Sequence, residues 1–146
     1  MPLSDFLQEG DQRRIVKAIG DAERCTSGEI RVHVEPKCKM SDPVKRAARV
    51  FDDLRMYETR HRNGVLVYVA YASRKFAIIG DCGINDKVPD GFWDEEKATL
   101  KEHLSKGHAA DGICEVIRQI GDSLSAYFPC QPDDINEQSD EISYSD

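Results

Sequence analysis

The chain has 146 residues, 32% of them charged and 40% hydrophobic, with a formal net charge of −7. That length suits a single domain around one core, and that composition suits a soluble globular protein. The whole charge excess lies in residues 119–146, which hold Asp122, Asp133, Asp134, Glu137, Asp140, Glu141 and Asp146 but no Lys or Arg; without a basic excess elsewhere, nucleic-acid binding is excluded as an expectation.

Residues 9–25 predict a helix, because Ile15, Ala18, Ile19 and Ala22 recur at helical spacing. Thr26-Ser27-Gly28 ends it, with Gly28 expected in the left-handed turn that follows many helices. Residues 29–35 alternate. Ile30, Val32 and Val34 face one way and Arg31, His33 and Glu35 the other, as in a half-buried strand. Ser41-Asp42-Pro43 predicts a second helix start, a cap followed by proline at the first helical position. Its expected buried stripe is Val44, Ala47, Ala48, Phe51 and Leu54.

Asn63-Gly64 then opens VLVYVAY, a continuous apolar run that predicts a central strand covered on both faces. A short turn at Ala72-Ser73-Arg74 leads to KFAIIG as its antiparallel partner. After a polar loop with three glycines, a helix is expected over about 91–105 with Trp93, Leu100 and Leu104 inward. Another is expected over about 111–126, capped by Asp111 and striped by Ile113, Ile117, Ile120 and Leu124. The order α-β-α-β-β-α-α, with a helical crossover between the first two strands, predicts an α/β/α sandwich on a small mixed sheet. Residues 1–130 read as one domain and 131–146 as an acidic, disordered tail.

The longest apolar run, Val65–Ala72, is far short of a membrane span, and MPLSDFLQEGDQRR has no secretory h-region. The five cysteines, Cys25, Cys38, Cys82, Cys114 and Cys130, include no Cys-x-x-Cys pair. An odd count without that spacing argues for reduced thiols and against a disulfide framework or zinc site. A cytoplasmic monomer with no membrane association is expected.

The stretch CTSGEIR, residues 25–31, has the Cys-x-x-Gly-x-x-Arg outline of a cysteine-phosphatase loop. Such a loop follows a strand and opens a helix, whose N-terminal amides stabilise both thiolate and phosphate. Here a helix ends at the cysteine and a strand begins after it, so the local dipole has the wrong sign. Cys25 is expected to be a structural side chain at a helix end.

The predicted topology brings other residues together. The first strand starts at Glu29, the parallel second just after Asn63, and the antiparallel third ends at Gly80-Asp81. Ser27, Glu29, Asn63 and Asp81 should therefore share one end of the sheet, joined by the loop that carries Asn85, Asp86 and Asp90. Glu29, Asn63, Asp81, Asp86 and Asp90 form the expected metal-ligand set. Such hard oxygens suit Ca²⁺, or Mg²⁺ with retained waters. The Asp81–Asp90 spacing does not fit an EF-hand.

TSGEIRVHVE, RNGVLVYVAYASRKFAIIGDCGI, VPDGFW and the closing YFP together resemble the TPM domain family over about residues 8–129. The resemblance implies an α/β/α fold in a Rossmann-like arrangement. It also implies divalent-cation binding, as in bacterial members, or acid-phosphatase activity, as in plant members. By motif it points to Glu29, Asn63, Asp81 and Asp90. The glycine-flanked loop departs from the often aromatic family pattern, reading Gly80-Asp81-Cys82-Gly83. Two functions are therefore expected. One is a non-enzymatic cation-binding module with a protein partner; the alternative is a metal-assisted phosphomonoesterase.

Overall fold

The computed structural model describes residues 6–130 and 140–145. In chain order the elements are α1 (Glu9–Glu23), β1 (Glu29–Glu35), α2 (Pro43–Asp53), β2 (Gly64–Ala70), β3 (Lys75–Gly80), the single turn α3 (Cys82–Asn85), α4 (Asp94–Ser105), α5 (Ala109–Ser125) and β4 (Ser143–Tyr144). The sheet order is β3-β2-β1-β4. β2 runs parallel to β1 and antiparallel to β3, and β4 pairs parallel with β1.

β2 is buried along its whole length. Val65, Val67 and Val69 join the larger core cluster with Ile30, Val32 and Val34 of β1, Ile15 and Ile19 of α1, Leu100 of α4 and Ile113, Ile117 and Ile120 of α5. On the other face Leu66, Tyr68 and Ala70 pack with Ala47, Val50 and Phe51 of α2. The α/β sandwich follows from this two-sided cover. Among the described residues no helix is long and apolar enough to cross a membrane.

Several local readings need correction. Asp42 does cap α2, its carboxylate accepting from the Val44 N–H at 2.9 Å, but of the expected stripe Val44 and Ala48 are exposed, and Val50 is buried beside Ala47 and Phe51 instead. α5 starts two residues before Asp111, behind His108, so Asp111 sits in its first turn and pairs with Arg14 at 2.7 Å rather than capping. Gly28 is not among the positive-φ glycines. Its requirement is space: a Cβ there would lie 2.8 Å from Leu124 Cδ1.

The reading of 131–146 as a disordered tail does not hold for residues 140–145; residues 131–139 lie outside the described residues. Ser143 and Tyr144 pair with His33 and Val34, and the Ser145 N–H donates to the Val34 carbonyl at 3.0 Å. Ile142 and Tyr144 pack against the core. The His33 ring is 3% exposed, with Nδ1 at 2.8 Å from Ser143 Oγ and Nε2 at 3.0 Å from Ser145 Oγ. A neutral imidazole suits this pair, donating from one nitrogen and accepting at the other. Burial, opposed by Glu35 and aided by Arg46, Lys39 and Arg31, holds the His33 pKa down to about 4.

A histidine whose folded pKa is depressed lets the unfolded chain bind protons first, so its contribution is lost as pH falls. Stability should drop between about pH 6.5 and pH 4, by about 3 kcal/mol at most for His33 alone. Denaturant unfolding across that range measures it. Truncation after Cys130 should flatten the dependence by exposing the ring.

Candidate functional site

Glu29, Asn63 and Asp81 are neighbours along the backbone where β1 and β2 begin and β3 ends. Glu29 opens β1 opposite Gly64 in the parallel register. Its N–H donates to the Asn63 carbonyl at 3.3 Å, and the Asp81 N–H donates to the Gly64 carbonyl at 2.9 Å. The three residues are buried, at 3%, 1% and 7% exposure. β2 carries no charged side chain along its length, and the carboxylates lie beside its end.

Each has a distinct electrostatic setting. Asn63 Nδ2 donates to Ser27 Oγ at 3.4 Å, while its Oδ1 is buried without a hydrogen-bond partner among the described residues. That orphaned acceptor costs free energy unless a donor or cation reaches it. Asp81 is engaged: Arg62 Nε and Nη2 donate to its two oxygens at 2.7 and 2.9 Å, and the Cys82 N–H donates to Oδ1 at 2.7 Å. The hydrogen bond to Asp81 raises the Arg62 guanidinium pKa above its ordinary value.

Glu29 lies beside Glu23, at the end of α1. Glu23 Oε2 accepts from the Ile30 N–H at 2.9 Å. Burial and the hydrogen bond to Asp140, with smaller raising effects from Glu29, push Glu23 up to about 10, although the Ile30 bond works against them. Burial and these neighbours therefore favour its protonated form. Asp140 belongs to the same C-terminal segment that supplies β4, so this segment also borders the carboxyl group nearest the site.

Asp86 and Asp90 stand apart. Asp86 is exposed at the end of α3 and borders a hollow of about 340 Å³ with Ser27, His61 and Gly83. Asp81 borders a different hollow of about 330 Å³ with Arg62, Cys82 and Asn85. Asp90 is exposed in the loop before α4 and lines neither. Among the described residues no three His, Cys, Asp or Glu side chains are grouped to hold a metal. Glu29 and Asp81 offer carboxylates, Asn63 an amide oxygen and Ser27 a hydroxyl within one backbone neighbourhood, and oxygen donors of these kinds suit hard divalent cations. Asn63 Oδ1 fits such an ion; the Arg62 guanidinium on Asp81 competes with it.

The phosphatase-like outline of residues 25–31 does not form a cradle. Cys25 is exposed just after α1, and Arg31 lies on β1, its guanidinium pKa lowered by burial despite the nearby charge of Glu141.

A family model described as TPM domain matches residues 3–123. The chain belongs to the TPM domain family. Its fold is similar to the solution structure of the BA42 protein from the psychrophilic bacterium Bizionia argentinensis, at 42% identity over 99% of each chain with a TM-score of 0.91. The N-terminal domain of the cg2496 protein from Corynebacterium glutamicum is similar in fold alone, at 18% identity over 84% of this chain and 77% of that one, with a TM-score of 0.64. No curated protein matches the chain.

Three residues that border this TPM domain's candidate site are not among the expected site residues: Arg62, Glu23 and Gly83. Arg62 adopts φ 49°, a left-handed conformation that no local pattern announces. Gly83 is legible only in three dimensions. Its N–H donates to the Arg62 carbonyl at 2.9 Å, and a Cβ there would lie 2.2 Å from the His61 carbonyl oxygen and 2.5 Å from that of Arg62.

Backbone cannot yield as a flexible side chain does, so Gly83→Ala should push the 61–63 segment away from α3 at a cost of about 1–3 kcal/mol. Thermal unfolding measures the loss, and amide shifts of Asn63 and Asp81 should report the displacement. An unchanged spectrum at those two amides would contradict the packing described.

Proposed function

We propose that this TPM domain binds a divalent cation, Ca²⁺ or Mg²⁺, at the end of the sheet where β1 and β2 begin, and acts as a non-enzymatic interaction or regulatory module. The observation that carries the reading is Asn63 Oδ1, a buried amide oxygen without a donor among the described residues, set between two strands that each bring a buried carboxylate, Glu29 and Asp81. Glu29, Asn63 and Asp81 would hold the ion. The ion would supply positive charge to oxygens that burial otherwise penalises.

Arg62 has a part in this reading. Its side chain is 48% exposed, and it neutralises Asp81 from the solvent side. A cation and the guanidinium compete for the same carboxylate. Binding would release a flexible arginine to the surface and so change what a protein partner meets there. No nucleophile paired with a general base stands among Glu29, Asn63 and Asp81, which favours the module over a phosphomonoesterase.

Calcium and magnesium titrations, followed by amide shifts and melting temperature, test the reading. The Glu29, Asn63 and Asp81 amides should move together. Stability should rise by about 2.7 kcal/mol at a hundredfold excess over Kd. Asp81→Asn should weaken binding and shrink the thermal shift. Arg62→Gln should tighten binding, because it removes the competing charge. Shifts centred elsewhere, or an undiminished thermal shift in Asp81→Asn, would overturn the site. Turnover of 4-nitrophenyl phosphate that requires both the cation and Asp81 would favour the phosphatase instead.

A further inference from the structure

The other end of β2 opens into a cleft of about 830 Å³. It lies at the carboxyl end of β2, which runs parallel to β1, and at the start of the antiparallel β3; open α/β sheets commonly hold ligands beyond the carboxyl ends of their parallel strands. Val69, Tyr71, Phe76 and Leu104 line it, with Phe6 stacked on Tyr71 at 4.4 Å between ring centroids. These side chains make an apolar wall of the kind that takes a flat organic group.

The charges bordering the cleft oppose those of the whole chain. Arg14, Arg74, Lys75 and Lys101 line it against two carboxylates, Asp11 and Asp111, in a protein of net charge −7. Both carboxylates are engaged by Arg14, at 3.5 and 2.7 Å. Lys75 Nζ donates to the Ser41 carbonyl at 3.0 Å. Arg74 and Lys101 form no ion pair among the described residues. Arg74 is also held at φ 56° in the β2–β3 turn, a conformation that costs free energy in a non-glycine residue. The start of α5 lines the same cleft, and His108, at its N-cap, makes no side-chain bond to the helix amides. Those N–H groups add partial positive charge to the rim.

We infer that this cleft is a binding site for a small organic anion, with a flat apolar body against Tyr71, Phe76 and Leu104 and a phosphate or carboxylate head between Arg74, Lys101 and the start of α5. The two head groups share one chemistry, a compact anion that accepts charge-assisted hydrogen bonds. The site is separate from the cation site proposed at the opposite end of the sheet and does not depend on it.

The test uses the full chain and four probes: 1-naphthyl phosphate, 1-naphthoate, the neutral 1-naphthylmethanol and inorganic phosphate. At least one naphthyl anion should shift the amides of Tyr71, Arg74, Lys101, Ala109 and Ala110 saturably. The neutral alcohol and inorganic phosphate should bind far more weakly, each having half of the chemistry. Which naphthyl anion binds more tightly identifies the head group. Arg74→Glu and Lys101→Glu should each weaken binding by about tenfold or more, as loss of a charged hydrogen bond does. Both positions are exposed, so an unchanged melting temperature should confirm the fold. Added salt should weaken binding too. Shifts that never saturate, shifts centred away from the cleft, equal binding of the neutral alcohol, or unchanged affinity in both variants would each overturn the inference.

Discussion

The architecture depends on β2 having no solvent face. All seven of its residues, Gly64–Ala70, are buried, with valines on one side and Leu66, Tyr68 and Ala70 on the other. A strand in that position has nowhere to put an unpaired charge along its length. Charged groups are therefore forced to its two ends and onto the neighbouring strands. The amino end collects Glu29, Asn63 and Asp81, and the carboxyl end opens into the cationic cleft. Both candidate sites are consequences of one buried strand.

The polar face of β1 shows how such a fold accommodates the charges it does bury. Glu35 is fully buried, yet Arg46 donates to both its oxygens at 2.8 Å and the Tyr68 hydroxyl donates as well. Burial works to raise its carboxyl, and those hydrogen bonds outweigh it, so its pKa is held below the ordinary value. The Tyr68 hydroxyl pKa is raised, first by burial and then by the same hydrogen bond to Glu35. His33, two residues earlier on that face, is buried by Ser143 and Ser145. β4 thus shields a polar strip that the helices leave open. A two-residue strand has little intrinsic stability; its place rests on the His33 hydrogen bonds and on Ile142 and Tyr144 against the core.

The parts of the fold legible in the sequence are those set by periodicity. The alternation of 29–35, the continuous run of β2 and the helical stripes of α1 and α5 each repeat a physical pattern over several turns or pleats. β4 repeats nothing. Ile142-Ser143-Tyr144-Ser145 is too short to rise above an acidic background, and its partners lie more than a hundred residues away. Helix starts were misplaced where the cap is not the usual residue type: Asp111 looked like a cap, and His108 holds that place without a side-chain bond. The backbone proximity of Glu29, Asn63 and Asp81 follows from strand order alone. What occupies Asp81 does not, because the Arg62 contact depends on a left-handed backbone held by the close approach of Gly83.

The two ends are too far apart to sense each other directly. Seven residues of strand span about 23 Å, while exposed charges are largely screened beyond about 8 Å at physiological salt. A cation at one end therefore gives little direct electrostatic help to an anion at the other. If the two sites communicate, a packed element must carry the effect. α1 is the element placed to do so: it carries Arg14 in the cleft and Glu23 beside Glu29, and Ile15, Ile19 and Ala22 are buried between them. A helix with so much of one face in the core shifts as a body rather than bending locally. Coupling by this route requires α1 to change position against α5. There Gly121 limits the available space, since a Cβ on it would lie 2.9 Å from the Ala22 Cβ. Helices packed so closely that no side chain fits between them at Gly121 leave α1 little freedom to slide, so the two ends should act as independent sites on one rigid frame.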